Sequence, residues 1–407
     1  MESEAKKIKI VLICHFMNMT IQRALGIDGS EKELAPWISL EIEEIKKRND
    51  IELHVISPFF KILRNKNFSE HGIHYHCIKI GMPFIRKHWP AYFRINDWTN
   101  FYLFNLQVRR LIKKIKPDLV NLSGAENAYY SSSVLDIKGY PILVTIQGFV
   151  SLNSEKVVKN RIVLKRIQIE ERIFKSLKYY AIEAAFMEKF IRNFNPDARM
   201  FWFHLPFAKT NVTTDVSKEY DIVFFARVTK MKGIEDLIKA VSISRAHIPD
   251  IKLCVIGESD IDYQIYLNAM IENLNLKDNI VFKGFVSTQT TMHKEVVKAK
   301  ISVLPTYNDT IPGTIVESML LGVPVISYNT GGIPDLNKDG ENIILVEQGN
   351  VVRLADEIIR LLTNDKLRDE LAAGALKYAS EEFDNTHSVN LMIEAYKAVI
   401  EDFRKMH

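Results

Sequence analysis

The sequence predicts an α/β protein built from two successive parallel-sheet domains. In both halves of the 407-residue chain, short continuous apolar runs alternate with longer helical stretches, as in buried parallel strands joined by helices. A stretch at 205–218, which contains Pro206 and a polar run, interrupts this alternation. Because a chain of this length exceeds one ordinary hydrophobic core, we expect two domains of about 200 residues each.

The first predicted βαβ unit has a strand at 8–14, a helix at about 31–48 and a strand at 51–57. The loop after its first strand contains Gly26 and Gly29 and lies at the carboxyl end of that strand, where open α/β sheets bind ligands. Further strands are predicted at 73–80, 119–122, 142–146, 179–182, 221–225, 252–256, 280–283, 301–304 and 323–327. Helices are predicted at 233–244, 262–273 and 288–299, and three more across the tail at 351–407.

The composition is that of an ordinary soluble globular protein, with 47% hydrophobic and 26% charged residues. Its three cysteines are far apart in sequence, and Cys14 and Cys254 lie in apolar runs where core packing is their expected role, so we expect a reducing, cytoplasmic compartment. The apolar run at 8–14 is too short for a signal peptide or a membrane span.

The charge is distributed unevenly. Residues 1–210 contain 33 Lys and Arg against 21 Asp and Glu, whereas the rest of the chain is acidic. A basic half suggests an anionic partner such as a membrane surface, a lipid phosphate or a nucleic acid, although solvated lysine-rich faces also produce this imbalance.

The stretch at 79–116 combines nine Lys and Arg with a single acid, Asp97. Such mixtures of cations and aromatic rings suit the interface of an anionic membrane. The alternative is a surface loop followed by an amphipathic helix that packs its aromatic side chains inward. The aromatic residues are Phe84, Trp89, Tyr92, Phe93, Trp98, Phe101, Tyr102 and Phe104.

Motifs for metal-dependent chemistry are weak. His71, His74 and His76 form a cluster, but the sequence places no acid or cysteine ligand nearby, so we predict no metal site. Asp260 and Asp262 form an Asp-x-Asp pair of the type that binds a metal in some sugar-transferring enzymes, but capping of the following helix explains them more simply. No P-loop, no complete Gly-x-Gly-x-x-Gly and no His-Glu-x-x-His occurs in the sequence.

The segment at 305–335 contains the strongest candidate binding site. A helix is predicted to begin near Thr314 behind Pro312 and Gly313, so its unpaired N–H groups and partial positive charge would attract a phosphate. Glu317, one turn further on, is suited to bind a ribose diol with its carboxylate, or else it complements the helix dipole on a solvated face.

Two cations are predicted to lie at the same edge of the second sheet. Arg227 follows the strand at 221–225, and Lys232 precedes a helix start. The neighbouring strand end carries Asp309 and the helix with Glu317. Two cations and a helix N-terminus that converge at one place would bind a diphosphate without a metal ion.

The second half resembles the nucleotide-sugar-binding half of the retaining glycosyltransferases of family 4, also called group 1, which have the GT-B fold. In the first half the resemblance is weaker and depends on sheet topology, PDLVNL and PILVTIQG. In the second half it rests on ARVTKMKG (226–233), VIGES (255–259), IVFKGFV (280–286), ISVLPTYNDTIPGTIVESMLLGVPVIS (301–327), GGIPD (331–335) and SEEFDNTHSV (380–389).

This resemblance implies two Rossmann-like parallel-sheet domains that face each other across a cleft. Residues 1–207 would form the acceptor-binding domain and residues 208–385 the nucleotide-sugar-binding domain. A C-terminal helix at 386–407 would pack back on the first domain. The family uses no cofactor in this reaction, so none is expected.

The resemblance also implies roles for individual residues. Arg227 and Lys232 match the basic pair that holds the donor diphosphate, and Glu317 matches the acid that binds the ribose hydroxyls. Asp309 occupies the position of the acid that contacts the transferred sugar. The backbone at Gly313, Thr314, Ile315 and Val316 would complete the phosphate site, and Gly284, Phe285 and Val286 match the segment that reads the base.

Two residues depart from the family pattern. Asp309 is one methylene shorter than the glutamate usual at its position, and Gln147 replaces the histidine that many members place near the donor sugar. A glutamine can donate a hydrogen bond to a sugar but cannot titrate near neutral pH. These departures bear on the identity of the sugar and on the rate.

The predicted function is therefore retaining transfer of a sugar from a nucleotide-diphosphate donor to a saccharide or lipid-linked saccharide acceptor, in cell-surface polysaccharide or glycolipid biosynthesis. No nucleic-acid partner is predicted, and an anionic membrane surface is a predicted partner of residues 79–116. One alternative is a nucleotide-sugar 2-epimerase. The other is a non-catalytic nucleotide-sugar-binding subunit, and the departures at Asp309 and Gln147 suggest this second alternative.

Overall fold

The computed structural model describes residues 7–27, 33–82, 95–152, 161–207 and 212–406. The chain divides into two compact units. The first consists of residues 1–183, 187–206 and 385–407, and the second consists of residues 184–186 and 207–384. The assignment of one unit to the acceptor and the other to the nucleotide sugar remains a prediction.

The first unit is built on an eight-stranded sheet with the strand order β3-β4-β2-β1-β5-β6-β7-β8, in which only the edge strand β3 is antiparallel to its neighbour. The strands are β1 (Ile8–Ile13), β2 (Ile51–Phe59), β3 (Lys66–Glu70), β4 (Ile73–Lys79), β5 (Leu119–Ser123), β6 (Ile142–Thr145), β7 (Tyr179–Ile182) and β8 (Arg199–Trp202). The helices that precede residue 207 are α1 (Met19–Leu25), α2 (Pro36–Lys46), α3 (Ile95–Trp98), α4 (Tyr102–Ile115), α5 (Ala128–Ser131), α6 (Arg161–Ser176) and α7 (Ala185–Arg192).

The second unit is built on a six-stranded, all-parallel sheet with the order β11-β10-β9-β12-β13-β14. Its strands are β9 (Tyr220–Phe225), β10 (Leu253–Ile256), β11 (Ile280–Gly284), β12 (Ala299–Leu304), β13 (Val325–Tyr328) and β14 (Ile344–Val346). Its helices are α8 (Ile234–Ser244), α9 (Ile261–Asn273), α10 (Gln289–Val296), α11 (Gly313–Leu320), α12 (Val351–Thr363) and α13 (Asp365–Glu382). The two parallel-sheet domains confirm the predicted fold class.

The last helix, α14 (Asn385–Met406), belongs to the first unit and not to the second. It inserts an apolar stripe that includes Val389, Met392 and Tyr396 into the core beside β1 and β2. Within this core the Asn121 side chain donates a hydrogen bond to the Tyr396 hydroxyl at 2.7 Å. A buried polar pair of this kind fixes where the helix lies along the sheet, because a shift of the helix would leave the Asn121 Nδ2 donor and the Tyr396 hydroxyl without this hydrogen bond.

Several elements differ from the sequence predictions, each for a local reason. The edge strands β3 and β8 are largely exposed and lack a continuous apolar run, so they were not predicted. Helix α1 was predicted to be loop, although Asn18 caps its start and Gly26 ends it in a left-handed conformation. Residues 28–32, which include Gly29 and the predicted start of the next helix, lie outside the described residues.

Two further predictions in the second unit need correction. The helix predicted at 288–299 ends at Val296, and Ala299 already belongs to β12. The strand predicted at 323–327 begins at Val325, because Pro324 has no N–H to donate to a neighbouring strand. Asp260 does occupy the N-cap position of α9, but its side chain forms no capping hydrogen bond.

Candidate functional site

Loop 305–312, which follows β12 in the second unit, is held by close backbone contacts on both sides. A Cβ atom on Gly233 would lie 1.8 Å from the Pro305 carbonyl oxygen, and one on Gly331 would lie 1.7 Å from the Asp309 carbonyl oxygen. Both glycines also have positive φ angles, of 77° and 58°. Only glycine fits at these two positions, so the loop is fixed against the turn before α8 and against the turn after β13.

The structure brings Lys232 and Asp309 together at this edge of the sheet. The Lys232 Nζ lies 2.5 Å from the Asp309 Oδ2, and the Thr306 hydroxyl donates to the same oxygen at 2.8 Å. Both charged side chains are about one quarter or less exposed, so water screens their attraction only partly. The strands that carry these loops, β9 and β12, are neighbours, so Lys232 and Asp309 lie at one edge as predicted, and the convergence of Arg227 and the start of α11 with them remains a prediction.

Arg227 follows β9 directly and is exposed. Its guanidinium forms no ion pair with any residue that the structure describes. Lys232 is thus already neutralised by an acid, whereas the charge of Arg227 is available to an anion from solution.

Helix α11 begins at Gly313, with Pro312 at the N-cap and no side chain capping it. The N–H groups of Ile315 and Val316 donate to the Pro312 carbonyl oxygen at 3.0 and 3.4 Å. The N–H groups of Gly313 and Thr314 precede these bonds and point out of the first turn, as at any helix start. Of the four residues expected to bind phosphate through their backbone, the first two are therefore the better placed.

Glu317 lies in α11 and is not on a solvated helix face, because only 14% of its side chain is exposed. Gln289 Nε2 donates to its Oε1 at 3.0 Å, and His293 Nε2 lies 3.3 Å from its Oε2. Both partners come from α10, where their i, i+4 spacing places them on one face. Neither residue was predicted from the sequence, where only their i, i+4 spacing indicated that they share a helix face.

The predicted base-reading segment follows β11. Gly284 ends this strand with a φ of 66°, and its carbonyl oxygen accepts a hydrogen bond from the Gly257 N–H at 2.9 Å. Phe285 is exposed, whereas Val286 packs against the core of the second unit. The segment therefore presents an aromatic ring from an anchored turn.

Gln147 belongs to the first unit, at the carboxyl end of β6. Its Nε2 donates to the Ser123 hydroxyl at 2.7 Å, so its side chain is tied to the end of the neighbouring strand β5. Its predicted role toward the donor sugar remains a prediction.

Glu126, in the loop after β5, is an acid that the sequence analysis missed. It folds back over Gly124, where a Cβ atom would lie 2.8 Å from either carboxylate oxygen. Its Oε2 is buried and has no hydrogen-bond partner among the described residues. Burial therefore raises the pKa of Glu126 to about 7.

Other titratable groups lie at the same edge of the first sheet. The Tyr129 hydroxyl lies 2.6 Å from the Nδ1 of His15, which follows β1, and burial lowers the pKa of His15. A carboxyl group whose pKa lies near 7 can exchange a proton with a hydroxyl at neutral pH. The sequence pattern that could have indicated this site is a glycine and an acid, Gly124 and Glu126, that closely follow the buried strand β5.

Glu126 makes a pH-dependent contribution to stability that can be measured. Its pKa is raised from 4.5 to about 7, so the folded state binds the proton more tightly than the unfolded state and the free energy of unfolding falls as the pH rises through that window. We expect E126Q to be more stable than the wild type at pH 8, by about 1–3 kcal/mol, and equal to it near pH 4.5. Tryptophan fluorescence during urea unfolding reports this unit, because Trp37, Trp89, Trp98 and Trp202 all belong to it.

The matched control is E171Q, which changes a partly exposed carboxyl on α6 whose ion-pair partner among the described residues is Lys175. A stability gain in E126Q that is the same at both pH values, or a loss at pH 8, would contradict the buried-acid interpretation.

Residues 209–378 match the family model "Glycosyl transferases group 1". Curated relatives align over 166–197 residues at 24–29% identity, and these alignments span between 24% and 50% of the relatives' own length. One of them, a capsular polysaccharide biosynthesis glycosyltransferase of Staphylococcus aureus, is 28% identical over 42% of this chain and 44% of its own.

Solved structures match nearly the whole chain. A sucrose-phosphate synthase from Thermosynechococcus elongatus superposes with a TM-score of 0.73 at 16% identity and covers 97% of this chain and 100% of its own. The HepE protein of Anabaena in complex with UDP and glucose has a TM-score of 0.67 at 15% identity, over 96% and 99% of the two chains. At such identities the likeness concerns the fold alone. The chain thus has the GT-B fold, and the residues that match the group 1 family model, 209–378, lie in its second unit.

Proposed function

We propose that this protein transfers a sugar from a nucleoside-diphosphate donor to an acceptor hydroxyl, with retention at the anomeric carbon. The observation that carries this proposal is the Lys232–Asp309 ion pair at the carboxyl edge of the second sheet, on the loop that leads into α11 and within the residues that match the group 1 family model. Ligands bind at this edge in open α/β sheets. The complex of the HepE protein with UDP and glucose supports a nucleoside-diphosphate donor.

In this proposal the donor diphosphate binds Arg227, Lys232 and the N–H groups of Gly313 and Thr314. Its negative charges compete with Asp309 for the Lys232 ammonium, because a phosphate accepts strong charge-assisted hydrogen bonds. Asp309 then turns toward the hydroxyl groups of the transferred sugar while Thr306 continues to donate to it. Donor binding and sugar orientation are thereby coupled through one ion pair.

The nucleoside occupies the other side of the same edge. Glu317 accepts hydrogen bonds from the ribose hydroxyl groups with the lone pairs that Gln289 and His293 leave available. Phe285 stacks on the base, and Gly284 and Val286 contact its edge through their backbone. The two partners from α10 orient the Glu317 carboxylate.

The chemical step needs stabilisation of the leaving diphosphate, which Lys232, Arg227 and the helix start provide. The leaving phosphate oxygen takes the proton of the acceptor hydroxyl as the new glycosidic bond forms on the same face of the sugar. Gln147 donates a hydrogen bond to the transferred sugar. In the first unit, Glu126, His15 and Tyr129 bind the acceptor.

The acceptor is proposed to be a saccharide or a lipid-linked saccharide in cell-surface polysaccharide or glycolipid biosynthesis at the cytoplasmic face of the membrane. The relative that acts in capsular polysaccharide biosynthesis supports this choice. Within the described residues, no helix is long and apolar enough to cross a membrane. Peripheral contact through residues 79–116 is therefore part of the proposal.

Replacing Lys232 tests the diphosphate site. We expect K232A to lower kcat/KM by on the order of 10²–10³-fold, as the loss of one group that stabilises developing negative charge does. The measurement is transfer of a radiolabelled sugar to acceptor, after a thermal-shift panel of nucleotide sugars has identified the donor.

Lys230 provides the matched control because it is an exposed lysine in the same turn. If K232A keeps the turnover of K230A, Lys232 has no role in the reaction. Stabilisation by a nucleotide sugar without turnover toward any acceptor would favour a non-catalytic binding subunit, and isomerised free donor would favour an epimerase. If no nucleotide sugar in the panel raises the thermal unfolding midpoint, the proposed donor site is refuted.

The role of Glu317 is tested with nucleotides that differ only in the ribose. We expect E317Q to bind UDP about tenfold or more weakly, because hydrogen bonds to a charged acceptor contribute about 1.5–3 kcal/mol. It should bind 2′,3′-dideoxyuridine diphosphate as well as the wild type does. The measurement is isothermal titration calorimetry with both nucleotides.

Glu272, an exposed acid on α9, supplies the control variant E272Q. An equal loss of affinity for both nucleotides in E317Q would mean that the acid acts through local structure and not through the ribose.

The membrane contact is tested on the described part of the 79–116 stretch, since Phe84, Trp89, Tyr92 and Phe93 lie outside the described residues. Helix α4 presents exposed Arg110 and Lys113, and Trp98 and Tyr102 are 72% and 52% exposed. Phe104, by contrast, is buried in the first unit. We expect flotation with vesicles rich in phosphatidylserine at low salt, and about 30-fold weaker binding for the R110Q/K113Q variant, at about 1 kcal/mol per cation.

The charge-matched control is K366Q/K377Q in the second unit, where both lysines are exposed. Equal vesicle binding by the two double variants would remove the 79–116 stretch from this role.

A further inference from the structure

Four polar side chains lie on one face of the first sheet, toward the amino ends of its strands. Glu52 and His54 come from β2, and His74 and His76 come from the neighbouring parallel strand β4. One ligand atom from each of Glu52, His54 and His74 lies within 4.8 Å of the other two. The sequence prediction that no acid lies near these histidines is therefore wrong, because the strand pairing that sets His54 opposite His74 also brings Glu52 alongside.

The hydrogen bonds around His76 determine which nitrogen of His54 carries a proton. His76 Nδ1 lies 2.9 Å from the Asn67 Oδ1, which can only accept, so this nitrogen is the donor. In a neutral ring His76 Nε2 is then an acceptor, and it lies 3.1 Å from His54 Nδ1. His54 must therefore donate from Nδ1, which in a neutral His54 ring leaves a lone pair on its Nε2.

That lone pair points at a second acceptor. His54 Nε2 lies 2.9 Å from the Glu52 Oε1. An unprotonated nitrogen and a carboxylate oxygen repel each other at this distance unless a cation lies between them. A metal ion supplies such a cation, and a histidine whose Nδ1–H is held by a neighbouring acceptor is the usual form of a metal ligand.

His74 is prepared in the same way. Its Nδ1 lies 2.7 Å from the Ser69 hydroxyl on the adjacent strand β3, and its ring stacks on that of His54 with centroids 4.5 Å apart. The Ser69 hydroxyl can accept from the His74 Nδ1–H, which orients the ring and leaves the Nε2 lone pair for a metal ion. His74 is partly exposed, so solvent can reach the site and a water molecule can complete the coordination.

We propose that Glu52, His54 and His74 form a binding site for a divalent first-row transition-metal ion, for which zinc is the best match. Two imidazole nitrogens and one carboxylate oxygen are a donor set that zinc accepts at about 2.0–2.2 Å. The ligand atoms would draw together by about 1 Å or less per residue to reach those distances. Lys9 is the competing cation, since its Nζ lies 3.0 Å from the Glu52 Oε1.

The site lies toward the opposite end of the strands from His15, Gln147 and Glu126, which follow the carboxyl ends of their strands. A metal ion there would join β4, and through Ser69 the edge strand β3, to the interior strand β2. Its proposed role is therefore to hold the edge of the sheet, and it does not depend on the proposed sugar transfer.

The experiment is a zinc titration of the full, untagged chain after treatment with EDTA, followed by competition with a chromophoric chelator. We expect one zinc ion per chain, a higher thermal unfolding midpoint with zinc, and loss of both effects in H54Q and in H74Q. S69A should bind zinc about 10–100-fold more weakly, as replacement of the hydrogen-bond partner of a metal-ligating histidine does. H71N is the control, because His71 is exposed in the turn of the same hairpin.

E52Q is measured in the same way, with the same loss of zinc binding expected, in case the His54 variant fails to fold. It is expected to fold because Glu52 is partly exposed and the amide preserves the shape of the side chain. Failure of the wild type to take up zinc above the level of an EDTA-matched blank would overturn the proposal. Equal zinc uptake by H54Q, H74Q and H71N would also overturn it, and the cluster would then be a closed chain of neutral hydrogen bonds.

Discussion

The ion pair between Lys232 and Asp309 is the contact on which the candidate site of the second unit depends. It connects the turn after β9 to the loop after β12. Gly233 already holds that turn against the loop at Pro305, and Gly331 holds the loop at Asp309 against the turn after β13. Because the backbone cannot relax at these glycines, a ligand that displaces Asp309 from Lys232 moves side chains and not loops. A preorganised site of this kind loses little free energy to reorganisation when negative charge develops in it.

The acids of the two candidate sites differ in how their charge is balanced. Asp309 is paired with a lysine, Glu317 contacts a glutamine amide and a histidine ring, and the buried Oε2 of Glu126 has no hydrogen-bond partner among the described residues. A carboxylate that is paired with a lysine must exchange that cation before it binds a ligand. The unpartnered acid costs stability at neutral pH, and such a cost is characteristic of groups that are retained for function.

The sequence predicted the parts of the fold that a buried strand determines. Continuous apolar runs located β1, β2 and β12, and the rule that parallel strands end at one edge placed Arg227, Lys232 and Asp309 near one another. Edge strands such as β3 were missed because their solvated residues carry no apolar pattern.

Side-chain partners could not be predicted in the same way. The contact of Gln289 and His293 with Glu317 depends on how α10 packs against α11, and the cluster around His54 depends on the register between β2 and β4. Neither the packing of two helices nor the register of two buried strands is encoded in one short segment. The predicted residues therefore identify the edge of the sheet, and only the tertiary structure shows which of their charges are still available there. At that edge Arg227 has no ion-pair partner among the described residues, whereas Lys232 is paired with Asp309. In the proposed function, contact of a diphosphate with Arg227 therefore adds an attraction, whereas contact with Lys232 replaces the one with Asp309.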